Sequence, residues 1–283
     1  MLDLKRLRKV ELARRVGSLP GEVAAWRARS NKPLATTPAD VLAEKTQLQE
    51  FQSRFATAHS SQLAAIEAMV QLMVEGHSAQ AQGMDPGGDG AIFTQTALDL
   101  VLRTVVAQRF WDYFRDKLEL RFSPQFGRRL WVADSVAYDC YTPVIQTAVD
   151  QGILPEGSFR EPPLTYLNAE TSPLTWLRSQ RPREGGAQIF SGSQSLPFPV
   201  IELPWEQMEN LWELMALHHE VGHDLEKDLN LVIPIETSLR EKLIAAGVDP
   251  ARRKIWNAWR KEVFADLVAL QLGGPAFARS LAS

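Results

Sequence analysis

Apolar residues recur with a helical period along most of this chain. Over residues 92–120 the positions Leu98, Val101, Leu102, Val105, Phe110 and Phe114 share one broad side, which predicts a helix with an extended apolar face. The same period predicts a helix over 4–16 and a short one opened by Pro20 at its first position. It also predicts a long Ala-, Leu- and Gln-rich stretch from Pro38 towards Ala79, interrupted near His59-Ser60-Ser61, and a helix over 129–151 after the Ser123-Pro124 break. Between Gly152 and Pro204 the period is lost. That segment is rich in Pro, Gly and Ser, with short extended runs at Gln188-Ile189-Phe190 and Val200-Ile201, so it predicts an irregular region with minor strands, suited to form a cleft wall. Helical periodicity returns over 205–228 and 235–246. It returns again after Pro250-Ala251, until Gly273-Gly274-Pro275 stops the last helix. The expected fold class is mainly α with minor β. Three regions are expected: 1–82, helical; 91–151, helical; and 152–283, which contains the irregular segment and the candidate chemistry.

That chemistry lies in His219-Glu220-Val221-Gly222-His223. A helix places the two histidines one turn apart on one face and leaves a carboxylate beside them. A second segment, Glu262-Val263-Phe264-Ala265-Asp266, begins 39 residues after His223, far enough for a second helix to return antiparallel to the first. Neutral imidazoles of His219 and His223 with a carboxylate oxygen of Glu262 form a donor set suited to Zn²⁺, with a fourth position for water. Glu220 is then the general base and proton shuttle, not a ligand. Asp266 could reach His219 and fix its tautomer. Asp224 is expected to face solvent or cap a neighbouring group. Gly222 costs about 1 kcal/mol of helix stability relative to Ala, and a close approach of the second helix would explain it.

The pair HEVGH and EVFAD resembles the gluzincin class of zinc metallopeptidases, the match running over 211–272, about a fifth of the chain. The resemblance implies a zincin-like helix pair with His219, His223 and Glu262 as zinc ligands, Glu220 as catalytic base and Asp266 orienting a ligand histidine. It also implies a peptide or protein substrate. Such enzymes add a Tyr or His donor for the tetrahedral oxyanion, usually after the second helix, but no Tyr or His follows His223 here. The donor is therefore expected from upstream, from backbone or Arg, from a partner chain or from a longer natural protein. Of the four tyrosines, Tyr166 is the favoured candidate. The segment 197–204 occupies the place of a substrate-pairing strand, its prolines limiting it to a sheet edge at best. Two other readings are carried beside peptide hydrolysis: a zinc hydrolase of a non-peptide substrate, and a noncatalytic helical interaction protein in which zinc staples two helices.

Composition narrows the remaining choices. With 45 % apolar residues over 283 positions the chain can bury one large core or two smaller ones, and its net charge of −3 gives no global pull towards nucleic acid. Basic clusters at Lys5 to Arg15 and Arg178 to Arg183 are expected to be solvated faces or protein contacts, the first leaving the N-terminal helices available to a protein partner. A single cysteine, Cys140, allows no intrachain disulfide and is expected to be a buried inert thiol. His59 and His77 are expected at the surface, and His218 in a structural or surface role. No export signal or unbroken apolar span of 18 residues is apparent, so no membrane span is expected; the location is expected to be cytoplasmic, or exported by a signal-peptide-independent route.

Overall fold

The computed structural model describes residues 59–123, 126–157, 160–168, 172–180, 183–184, 187–188, 195–204 and 213–281, with single positions at 9, 10, 13, 17, 20 and 21. The helix expected over 4–16, the helix at Pro20 and the stretch 38–58 therefore lie outside or almost wholly outside the described residues. The described chain is mainly α with minor β. It divides into two compact units, 1–118 with 181–197 and 119–180 with 198–283.

In the first unit, α1 (Ser60–Val74) begins directly after His59, at the expected interruption. It does not run on to Ala79. The chain breaks at Glu75-Gly76, where Gly76 adopts φ 76°, a left-handed conformation that glycine enters without steric cost, and α2 (His77–Gly83) follows. The long helix α3 (Gly90–Glu119) starts at Asp89, whose carboxylate accepts from the N–H groups of Ala91 (2.7 Å) and Ile92 (3.4 Å). Phe93, Ala97, Leu100, Ala107, Phe110, Trp111, Tyr113, Phe114 and Leu118 are buried along it. The expected apolar face is corrected in part, because Leu98, Leu102 and Val105 are exposed. By length and composition alone α3 is apolar enough to cross a membrane, a test that the core helix of a soluble protein also passes; its Asp99–Arg103 pair (2.9 Å) interrupts the apolar run. His59 and His77 are buried, not surface residues. The short strands β3 (Arg183–Glu184) and β4 (Ala187–Gln188) pair antiparallel; Ile189 and Phe190, expected to extend the latter, lie outside the described residues.

The second unit holds the candidate chemistry. Helix α4 (Gly127–Asp150) precedes a three-stranded sheet of β1 (Leu164–Asn168), β2 (Leu174–Trp176) and β5 (Val200–Pro204). The order is β1-β5-β2, with β5 parallel to β1 and antiparallel to β2. The segment 197–204 is thus central rather than at an edge. Its prolines permit this because Pro199 contributes only its carbonyl, accepting from Leu164 N–H at 3.0 Å, while Pro204 closes the strand.

Strand alternation puts Thr165, Leu167, Ile201, Leu203 and Thr175 on one face, and the apolar members of this set pack with the second unit's helical core. Leu130, Ala133, Ala137, Tyr141 and Ile145 of α4 meet Leu217, Val221 and Leu225 in that core. A buried ion pair fixes α4 to the sheet: Arg121 donates to Asp134 through Nε (2.9 Å) and Nη2 (2.8 Å) and to the Thr165 carbonyl (2.6 Å). Asp134 in turn accepts from the Thr165 hydroxyl and N–H. Each charge is therefore matched within a hydrogen-bonded set, as burial requires.

A 3₁₀ turn (Glu213–Met215) leads into α5 (Ala216–Asp228), so the described part of the helix expected over 205–228 opens on a tighter turn; 205–212 lie outside the described residues. Helix α6 (Val232–Ala245) is followed by α7 (Pro250–Ser280), whose first turn is capped by Asp249, accepting from Ala251 and Arg252 N–H. Gly274 (φ 57°, ψ −146°) kinks α7 where the sequence predicts a stop, but helix resumes and Phe277 is buried, so the tail does contribute to the core.

Candidate metal centre

Among the described elements, helices α5 and α7 pack more extensively than any other pair. Their contacts run in opposite senses: Met215 lies near Gly273, His219 meets Asp266, Gly222 lies on Ala265 and Glu226 pairs with Arg260. The two helices are therefore antiparallel, as the motif spacing requires. A Cβ added at Gly222 would stand 2.8 Å from Ala265 Cα and 3.2 Å from its carbonyl oxygen. Glycine at this position is what lets the backbones approach closely enough for their side chains to converge.

The convergent groups are His219, His223 and Glu262. Glu262 Oε2 lies 3.3 Å from His219 Nε2 and 3.5 Å from His223 Nε2. Bonds of about 2.0–2.2 Å at tetrahedral angles would separate neighbouring donors by about 3.3–3.5 Å, so these two spacings are compatible with a shared cation, all three ligand atoms lying within 4.8 Å of one another. Asp266 Oδ1 is 2.8 Å from His219 Nδ1, which fixes the ring with its other nitrogen turned to the cluster.

Electrostatics suit ligation. Burial, then the neighbouring His219, drives the His223 pKa down to about 4, so this imidazole is neutral at physiological pH. Burial pushes Glu262 up, but Lys261 at 3.0 Å and the two histidines outweigh it and hold the carboxyl below its ordinary range. Glu220 is buried, and burial raises it, opposed by the Thr175 hydroxyl that donates to its Oε2 at 2.5 Å.

Sequence reasoning missed Thr175. It comes from the irregular segment, and only the register Thr175↔Ile201 turns it towards α5. Tyr166 falls on the other face of the sheet, in register with Glu202, which accepts from Asn168 and from Trp176 Nε1. The structure does not bring Tyr166 to the cluster. His218 is buried, with Nδ1 3.3 Å from the Met215 carbonyl.

Asp224 corrects another expectation. It is fully buried and neither carboxylate oxygen has a hydrogen-bond partner; burial, then Asp228 one turn on, raises its pKa well above the ordinary carboxylate range. The spacing Glu220, Asp224, Asp228 aligns three carboxyls on one face of α5, a signal legible in the sequence. Asp228 anchors the C-terminal end of that face, accepting from Tyr141 Oη, from Arg160 at 2.7 Å and from Arg178 Nε at 3.0 Å. Arg178 is thus largely buried in an ion-pair network rather than solvated.

Comparison of the chain with protein-family models, curated proteins and solved structures finds no match.

Proposed function

We propose that this protein is a zinc-dependent peptidase in which a metal-activated water attacks the peptide bond. The observation that carries the reading is the convergence of His219, His223 and Glu262 beside a buried, non-ligating carboxylate, Glu220. A zinc ion held by the three ligands would polarise the scissile carbonyl and acidify its water. Glu220 takes the proton from the attacking water and returns it to the departing amine, with Thr175 holding its carboxylate in orientation. Asp266 holds the His219 tautomer. Desolvation around Glu220 makes it a stronger base than an exposed carboxylate.

A peptide is favoured over other hydrolysable substrates by the position of β2. This strand ends the three-stranded order, and its Thr175 side chain reaches Glu220, so an extended peptide pairing with its outer edge would pass the base. The test is hydrolysis of a diverse peptide library by zinc-loaded protein, with Glu220→Gln as control. Activity reduced about 10²–10⁴-fold in the variant at unchanged zinc content supports the assignment. Equal activity of the two proteins would sink it. Tight zinc binding with no hydrolysis of any peptide would leave a zinc hydrolase of a non-peptide substrate or a structural zinc between two helices.

A further inference from the structure

The α6–α7 hairpin exposes more apolar surface than its packing accounts for. No residue of α6 is buried, and Ile233 and Ile244 are exposed. On α7, Trp256, Trp259, Val263, Leu267 and Leu270 are 43, 58, 37, 60 and 45 % exposed. At 100° per residue these five lie within about 80° of one another and form one stripe about 21 Å long. The side chains that bury α7, Ala265 and Ala269, lie on the far side of the helix, and Glu262 and Asp266 lie between, so the stripe borders the metal cluster. A continuous apolar stripe of this size marks a contact surface.

Charge identifies what it contacts. Residues 240–261 carry Arg240, Lys242, Arg252, Arg253, Lys254, Arg260 and Lys261 against Glu241 and Asp249, a net +5 in a chain of net −3. Arg260 is committed to Glu226, Arg252 to Asp249 at 3.3 Å and Lys261 to Glu262 at 3.0 Å, but Arg252 and Lys261 remain well exposed. Tryptophans with aliphatic residues along one face and Lys and Arg around them are the chemistry of a helix lying in the plane of a lipid interface. A second copy would bring the same positive charge to the contact. Nucleic acid would find no stacking surface in Val263, Leu267 and Leu270.

We propose that the exposed stripe of α7, with the basic end of the α6–α7 hairpin, docks this protein on an anionic membrane surface. Docking by this stripe sets the metal cluster at the lipid interface, where chains at or near the membrane would be presented to it. The proposal is independent of the reaction catalysed there, since it rests on exposed side chains and charge alone.

The test is co-sedimentation of the full chain with vesicles of phosphatidylcholine, or of phosphatidylcholine with about one third phosphatidylglycerol, at low and high salt. The comparison protein is Trp256→Ser/Trp259→Ser; both side chains are exposed, and unchanged circular dichroism verifies its fold. Expected are at least tenfold stronger partition onto the anionic vesicles, weakening with salt, and at least tenfold loss in the double variant. A charge-reversed Arg252→Glu/Lys254→Glu protein should also lose the anionic preference. The proposal is overturned by absent partition, or by partition that the tryptophan substitutions leave unchanged, as insertion through α3 would give. It is equally overturned if those substitutions instead dissolve a dimer seen by analytical ultracentrifugation, which would assign the stripe to a second copy.

Discussion

Gly222 of α5 lies directly on the backbone of Ala265 of α7, so that a Cβ on the glycine would stand 2.8 Å from Ala265 Cα. The obstacle is backbone and cannot swing aside. Gly222→Ala should therefore force the helices apart and destabilise the fold by about 1–3 kcal/mol, despite the roughly 1 kcal/mol gained in helix propensity. Urea denaturation measures this. A variant stabilised by the propensity difference would show that the contact is not a constraint.

In the proposed zinc site Asp266 acts through His219, its Oδ1 standing 2.8 Å from Nδ1. Asp266→Asn keeps the shape but removes the charge that orients and polarises the ring. Zinc affinity, measured by competition with a chromophoric chelator, should fall about 10–100-fold. Affinity equal to that of the unaltered protein would release Asp266 from this role.

Asp224 gives a pH-dependent stability with a definite sign. Its folded pKa lies above its ordinary value of 3.8, so the folded state holds the proton to higher pH than the unfolded chain does. Its stabilising contribution is fully present below pH 3.8 and is lost as pH rises through the folded value. Asparagine has no such titration. Asp224→Asn should thus be more stable than the unaltered protein at pH 8, by about 1–3 kcal/mol, with a smaller difference at pH 5. Denaturation at the two pH values decides the matter; an asparagine variant less stable at pH 8 would indicate a charged Asp224 with a partner.

Cys140 is buried, and burial, then Asp139, pushes its thiol up to about 12. At pH 8 only about one molecule in ten thousand carries the reactive thiolate. Maleimide labelling followed by mass spectrometry should be negligible for the folded protein and complete in urea. Rapid labelling of the folded chain would contradict the inert assignment.

Periodicity in the sequence fixed the long helices to within a few residues, because 3.6-residue patterning is written locally; 92–120 against Gly90–Glu119 and 129–151 against Gly127–Asp150 show this. The donor set His219, His223 and Glu262 was legible for a related reason, since helical spacing places each pair and Gly222 permits the approach between them. What lay beyond sequence reasoning depends on which element covers which. Leu98 and Leu102 share a helix with Phe110, yet only the packing of α3 decides which side is buried. The segment 197–204 reads as an edge because of its prolines, but strand order is a long-range choice that put β5 at the centre and β2 at the rim. That choice turned Thr175 towards Glu220 and left Tyr166 on the opposite face, because adjacent positions of a strand point to opposite sides. Local spacing determined the chemistry this chain can gather, and tertiary packing decided which side chains stand around it.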